Sequence, residues 1–145
     1  LLELLPDVPI EQRQRIGQMV LDQERGLEAA QKQAWLAEAL AILEHPEFAP
    51  LFAAGSRAEV PVTATVTQGG TVQVLSGRID RLSVLEDKVL IVDYKTNLQI
   101  PERMPEAYQR QLQLYADTLR KIYTDKPVQA AILWTAGPRL QPVSV

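Results

Sequence analysis

The sequence predicts an α/β fold in which helices flank a mixed sheet, and two changes of pattern along the chain lead to this prediction. Residues 1–54 carry helical periodicity, and from residue 59 the period changes to two over three successive strand-like segments. A further helix then precedes a last apolar strand. Because a strand reached through a helix usually runs parallel to its neighbour, the predicted sheet is a three-stranded antiparallel meander plus one strand after a crossover helix.

Each element has its own local signal. The expected helices span residues 9–22, 27–43 and 106–123, with a short helical turn at 46–52. The expected strands span residues 59–67, 71–82, 89–95 and 128–135. Asp7 is the expected N-cap of the first helix, and Gly69 and Gly70 form a hairpin-type turn between the first two strands. We expect Trp35 and Trp134 in the core rather than as platforms for base stacking.

Length and composition favour a single domain over residues 1–145, with a helical part (1–54) and a part that contains the sheet and its crossover helix (55–145). The opening leucine-rich run, which Pro6 stops, resembles the end of a helix, so we expect a fragment of a longer protein. The chain has no cysteine, which excludes disulfides and cysteine-ligated metal centres and fits a reducing cytoplasm. No apolar run is long enough to span a membrane.

The charge is unevenly distributed along the chain. The formal net charge of −3 argues against a stand-alone nucleic-acid binder. Residues 1–59 carry ten acids and five bases, whereas residues 60–145 carry eight acids and ten bases. This imbalance indicates a local preference for phosphate in the second half, without a strong basic stripe.

The most informative feature of the sequence is a pair of acidic residues on two neighbouring strands. Asp80 lies in the segment Gly-Arg-Ile-Asp-Arg, and Asp93 ends an apolar strand and is followed two residues later by Lys95. Residues two apart in an extended segment share a face, so Asp93 and Lys95 leave the sheet on the same side. By the same alternation, Asp80 is expected to share the face of Val72 and Val74.

These residue types point to metal-assisted chemistry on a phosphate. If the two strands form a hairpin, Asp80 and Asp93 lie close together, and their repulsion raises one pKa unless a cation lies between them. Mg²⁺ prefers oxygen ligands, Mn²⁺ can substitute for it, and the Tyr94 carbonyl would add a third oxygen. Lys95 could then orient a water or stabilise charge on the phosphate. The alternative from the residues alone is a surface hairpin with ordinary ion pairs.

Three other polar features leave two interpretations open. Gln111 and Tyr115 are four residues apart and share one helix face, where they either hydrogen-bond the site or the DNA backbone, or belong to an amphipathic core helix. His45 lies at a helix end before a proline, which is a typical capping position. Glu59 opens the first strand either as an acid near the site or as a surface residue.

The chain resembles the nuclease domain of the RecB family, within the PD-(D/E)xK superfamily of metal-dependent nucleases. The motifs Gly-Arg-Ile-Asp-Arg, Val-Asp-Tyr-Lys-Thr and Gln-x-x-x-Tyr, in this order and spacing, carry the resemblance. The opening Leu-Leu-Glu-Leu-Leu-Pro-Asp and residues 48–62 also resemble the AddA subunits of bacterial AddAB helicase–nucleases. This resemblance implies a restriction-endonuclease-like fold and a Mg²⁺-dependent (exo)deoxyribonuclease.

The resemblance also assigns roles to individual residues. It implies metal ligation by Asp80, Asp93 and the backbone carbonyl of Tyr94, catalysis by Asp80, Asp93 and Lys95, and DNA binding by Gln111 and Tyr115. Relatives usually have a metal-binding histidine on a preceding helix, and we expect that position upstream of Leu1. His45 does not match it.

The function that the resemblance implies is degradation of DNA, mainly of single strands, during double-strand break repair and recombination. Its implied partners are helicase domains of the parent protein and an AddB-like subunit. The chain has no Gly-rich Lys-Ser/Thr loop, so it is not the motor itself. The alternatives are a free-standing nuclease of the same superfamily and a module that has lost catalysis and only binds DNA or another protein of the complex.

Overall fold

The computed structural model describes residues 1–145 and shows a five-stranded mixed sheet flanked by helices. The helices are α1 (Ile10–Gln23), α2 (Ala29–Glu44) and α3 (Glu106–Ile122), with 3-10 helices at Leu5–Asp7 and Pro46–Phe52. The strands are β1 (Arg57–Gln68), β2 (Thr71–Val84), β3 (Val89–Lys95), β4 (Val128–Trp134) and β5 (Arg139–Val143).

The order of the strands in the sheet is the order of the chain, β1-β2-β3-β4-β5. β1, β2 and β3 pair antiparallel, β4 runs parallel to β3, and β5 returns antiparallel to β4. The predicted meander and the parallel strand after α3 are therefore confirmed. β3 lies at the centre of the sheet, which places the end of this strand under elements from both faces.

Each face of the sheet has its own core. Ile91 and Ile132 lie in the core that α3 covers, together with Leu112. On the opposite face, Leu90 and Val92 pack against the end of α2 and the second 3-10 helix. The continuous apolar run of β3 follows from this arrangement, because successive side chains of a strand point to opposite faces and both faces are covered.

Two predictions about the core and the sheet need correction. The structure adds β5, which the sequence analysis did not predict. Trp35 was expected in the core but is 48% exposed, because α2 directs a different stripe, including Leu36 and Ile42, towards its neighbours. Trp134 is fully buried, as expected, and its indole N–H donates a hydrogen bond of 2.8 Å to the side-chain oxygen of Gln141.

The start of the chain also differs from the prediction. Asp7 does not cap α1, because the N-cap position is Pro9 and no side chain caps this helix. Asp7 instead ends the first 3-10 helix, and the leucine-rich opening forms turns that lead into it. Leu5, in that 3-10 helix, is completely buried beside Leu21 and Leu36, so the opening segment is packed onto the helical part. None of the helices combines the length and apolar composition needed to cross a bilayer.

Candidate active site

Asp80 and Asp93 face each other where β2 and β3 separate. The ladder between these strands runs from Val84↔Val89 to Arg81↔Val92, and the next facing pair is Asp80 and Asp93. Oδ2 of Asp80 accepts a hydrogen bond of 2.8 Å from the backbone N–H of Tyr94. The Asp80 side chain therefore provides the acceptor where the ladder between the two strands ends, and its carboxylate is held at the end of β3.

The strand alternation changes at Asp80, so the parity argument for its direction was wrong. Ile79 and Leu82 both belong to the core under α3, although strict alternation would place them on opposite faces. In β1 the facing residue is Glu59, which has a φ of 53° and is the only residue other than glycine with a positive φ. Val72 and Val74 therefore do not predict the direction of Asp80, which tertiary contacts set.

Lys95 is held between a carboxylate and an aromatic ring. Its Nζ lies 2.8 Å from Oδ2 of Asp93 and 4.3 Å from the ring centroid of Tyr108. Burial alone lowers the pKa of Lys95, but the hydrogen bond and the charge of Asp93 outweigh burial, so the pKa is raised. Lys95 is therefore a charged hydrogen-bond donor at neutral pH. Sequence analysis gave no role to Tyr108, although its position one turn before Gln111 was the available signal.

The carboxyl group of Asp80 is harder to ionise than an ordinary aspartic acid. Burial is the main cause, and the negative charges of Asp93 and Glu59 add to it. The hydrogen bond from the Tyr94 N–H acts in the opposite direction, and the net effect raises the pKa of Asp80 to about 6. The site therefore favours a proton or a cation between its carboxylates.

The oxygen atoms at this site fit a hard divalent cation. N–H and C=O of one strand residue point to the same edge, so the Tyr94 carbonyl lies on the side of Asp80 that its N–H marks. Asp80 and Asp93 supply carboxylates, and the structure contains no cluster of three or more His, Cys, Asp or Glu side chains suited to a metal. Mg²⁺ tolerates so few protein ligands because it retains several waters.

The Gln-x-x-x-Tyr motif fastens α3 to β2 just before Asp80. The Tyr115 ring crosses Gly77 so closely that a Cβ there would lie 2.7 Å from its Cε1 atom. The Tyr115 hydroxyl accepts hydrogen bonds of 3.2 Å from the backbone N–H of Arg78 and from Nε2 of Gln111. Tyr115 is buried, whereas Gln111 is exposed and lines a groove of about 470 Å³ between the β1–β2 hairpin and α3.

Arg81 is a buried guanidinium without a carboxylate partner. It donates hydrogen bonds to the Leu2 carbonyl at 2.8 Å, the Ser56 hydroxyl at 3.1 Å and the Tyr94 hydroxyl at 3.4 Å. Its Cζ lies 5.3 Å from the ring centroid of Phe52. Arg81 thus connects the opening segment and the start of β1 to the residue between Asp93 and Lys95. Sequence analysis counted Arg81 only as one of several basic residues near the site.

His45 has the capping role that its position predicted, at the start of the second 3-10 helix. Its Nδ1 accepts a hydrogen bond of 3.3 Å from the backbone N–H of Glu47, and its ring stacks on Phe48 at a centroid distance of 4.5 Å. These contacts account for the histidine without a metal.

Comparisons with known proteins agree with this arrangement. The AddA protein of the ATP-dependent helicase/nuclease from Streptococcus uberis is 35% identical over 69 residues, which is 47% of this chain and 6% of that protein. The corresponding proteins from Streptococcus suis and Streptococcus agalactiae are 36% identical over 73 residues and 32% identical over 79 residues. These matches cover 50% and 54% of this chain and 6% of each relative.

A structural comparison found a solved protein described as SSO0001. The alignment covers 92% of this chain and 76% of that one, with 12% sequence identity and a TM-score of 0.47. A family model described as PD-(D/E)XK nuclease superfamily matches residues 2–142, nearly the whole chain. With its five-stranded mixed sheet of restriction-endonuclease-like fold, the chain belongs to the PD-(D/E)XK nuclease superfamily.

Proposed function

We propose that the chain is a metal-dependent DNA nuclease domain that hydrolyses phosphodiester bonds. The observation that carries this proposal is the meeting of Asp80, Asp93 and Lys95 at the end of β3, where a raised pKa at Asp80 marks an unbalanced pair of carboxylates. Groups with perturbed pKa values that meet specific charged partners are typical of catalytic sites.

The ligands of the metal in this proposal are oxygen atoms of two adjacent strands. Asp80, Asp93 and the backbone carbonyl of Tyr94 hold Mg²⁺, for which Mn²⁺ can substitute. When bound, the ion supplies a water of lowered pKa as the nucleophile and balances the charge of the phosphate. The hydrogen bond from the Tyr94 N–H fixes the Asp80 carboxylate, so this ligand needs little reorganisation.

Lys95 acts as a donor rather than as a base. Its raised pKa keeps it protonated at neutral pH, so it can orient the attacking water or stabilise negative charge as the phosphate is attacked. Asp93 and the ring of Tyr108 hold the ammonium from two sides. Both neighbours reduce the freedom of a side chain that otherwise has many rotamers.

Gln111 and Tyr115 form the DNA-binding part of the proposal. Gln111 presents its amide to the groove beside the β1–β2 hairpin, where it can hydrogen-bond the DNA backbone. The Tyr115 hydroxyl already accepts two hydrogen bonds, so it contributes mainly by holding Arg78, two residues before Asp80.

The names of the relatives suggest the larger context. We propose that residues 1–145 form one domain of a longer helicase–nuclease of the cytoplasm, which degrades mainly single-stranded DNA in double-strand break repair and recombination with an AddB-like partner. The chain spans 6% of the length of these relatives, which accommodates a separate motor.

Degradation of labelled single-stranded DNA by this chain tests the proposal. Wild type should degrade the strand with Mg²⁺ or Mn²⁺ and not with EDTA, and Asp93→Ala should reduce the rate at least about 100-fold because a ligand and the partner of Lys95 are lost. Asp87→Ala, in the turn at the other end of the same hairpin, is the matched control and should keep the wild-type rate. Equal rates for wild type and Asp93→Ala would overturn the proposal, and DNA binding without cleavage would favour a binding module.

A further inference from the structure

Glu59 has a backbone conformation that needs an explanation. Its φ of 53° is in the left-handed region, which costs free energy for any residue with a Cβ. The β1–β2 ladder is paired on both sides of it, at Ala58↔Arg81 and Val60↔Ile79, so Glu59 is neither in a turn nor at the end of a strand. Strained residues of this kind cluster at functional sites.

The Glu59 side chain holds an arginine beside the candidate site. Its Oε2 atom lies 2.8 Å from Nη1 of Arg78, whose side chain is 66% exposed. The backbone of Arg78 is fixed by the Tyr115 hydroxyl, and Asp80 follows two residues later. Arg78 therefore combines a fixed main chain with an accessible guanidinium next to the carboxylates, and only one carboxylate occupies that guanidinium.

We propose that Arg78 binds a backbone phosphate of the DNA strand beside the scissile phosphate, and that Glu59 occupies the guanidinium until the phosphate replaces it. The fork of N–H donors in a guanidinium matches a phosphate as well as a carboxylate. Exposed ion pairs contribute little to stability, so the exchange is not opposed by a strong bond. This inference rests on the proposed nuclease function, because it specifies how that site holds its substrate.

Glu59 thus has a different role from the two aspartates. Its carboxylate is engaged with a cation of the protein, whereas Oδ2 of Asp80 meets only a backbone N–H. Glu59 lowers the positive potential at Arg78 in the free protein, which disfavours anions that do not displace it. The left-handed backbone is the local feature that accompanies this placement opposite Asp80.

Binding of fluorescently labelled single-stranded DNA, measured by anisotropy in EDTA, separates binding from cleavage. Arg78→Gln should weaken binding about tenfold and reduce the slope of log affinity against log salt by about 0.7, as expected for one lost phosphate contact. Glu59→Gln should tighten binding about threefold because it frees the guanidinium. Arg139→Gln is the matched control, because it removes an exposed arginine from β5, three strands away in the sheet, and should change affinity less than twofold.

A double-mutant cycle decides whether Glu59 acts through Arg78. Glu59→Gln should have no effect on DNA affinity in the Arg78→Gln background, since the two residues share one interaction. Glu59→Gly, which removes both the carboxylate and the strain, should reproduce the gain of Glu59→Gln. Equal DNA affinity of wild type and Arg78→Gln would overturn the proposal, as would a persistent gain from Glu59→Gln when Arg78 is absent.

Cleavage kinetics distinguish this proposal from that of the nuclease itself. Arg78→Gln should raise KM for DNA with kcat within about threefold, because the contact holds the strand rather than the reacting atoms. An increased Mg²⁺ requirement of Glu59→Gln would instead identify Glu59 as a metal ligand and overturn its assigned role. If wild type does not cleave but the binding cycle gives the expected result, the nuclease proposal fails and the phosphate site at Arg78 stands.

Discussion

Charge is unbalanced at the end of β3. Asp80 and Asp93 face each other with one ammonium, from Lys95, and that ammonium is hydrogen-bonded to Asp93 alone. Glu59 adds negative charge that raises the pKa of Asp80 further. Protein stability alone does not favour such an arrangement, whereas a bound cation would reverse its cost.

Asp80 should make the metal-free protein less stable as the pH rises. Its pKa is about 6 in the folded chain and about 3.9 when unfolded, so the folded state binds more protons between these values and stability falls through this window. Because the group is partly exposed, water screens the effect, and we expect about 1–2 kcal/mol above pH 6. Asp80→Asn should therefore be more stable than wild type by this amount at pH 7 and similar to it near pH 4.

Urea unfolding in EDTA between pH 4 and pH 8 measures this difference. Asp87→Asn is the control, since Asp87 is exposed in the turn between β2 and β3. A stability difference between Asp80→Asn and wild type that does not change with pH would contradict the assignment. With saturating Mg²⁺ the wild type should recover stability, whereas Asp80→Asn should gain less.

At the scale of elements, the contact between β2 and α3 places the candidate site. Gly77 lets the Tyr115 ring cross the strand, and the Tyr115 hydroxyl then holds Arg78. Helical spacing and strand alternation were enough to predict α3 and β2 from the sequence. They could not predict β5, because a five-residue edge strand that contains Pro142 has a weak pattern.

Gly77→Ala should disturb this contact. The added Cβ would lie 2.7 Å from Cε1 of Tyr115, so ring or strand must move, at a cost of about 2–3 kcal/mol in unfolding free energy. Ser76→Ala, an exposed neighbour in β2, should change stability by less than about 0.5 kcal/mol. Thermal unfolding of both variants is the measurement, and in a Tyr115→Ala background the cost of Gly77→Ala should largely disappear. A Gly77→Ala protein with wild-type stability would refute this contact.

Across the whole molecule, one buried cation connects parts that are far apart in the chain. Arg81 binds Leu2 and Ser56 on one side and Tyr94 on the other, so the helical part and the catalytic strand share a single anchor. The sequence predicted strands that contain Arg81 and Tyr94 but not this contact, because partners separated by up to 79 residues leave no local pattern. The positive φ at Glu59 is equally a tertiary effect.

Arg81→Met should destabilise the protein without changing the length of the side chain greatly. The Leu2 carbonyl and the hydroxyls of Ser56 and Tyr94 lose a donor, and at about 1 kcal/mol for each hydrogen bond we expect a loss of about 2–3 kcal/mol. Arg139→Met, on the exposed side of β5, should stay within about 0.5 kcal/mol of wild type in the same urea titration. Equal stability of wild type and Arg81→Met would show that the anchor is dispensable.

The proposed nuclease depends above all on the three residues that meet at the end of β3, Asp80, Asp93 and Lys95. Their role is tested by measuring single-strand degradation and ATP-driven duplex unwinding in the same preparations of the longer helicase–nuclease, as wild type and as Asp93→Ala. We expect degradation that requires Mg²⁺ or Mn²⁺ and is lost in Asp93→Ala, with unwinding unchanged. Degradation by Asp93→Ala at the wild-type rate, or no degradation by wild type with either metal, would refute a metal-dependent nuclease site at these residues.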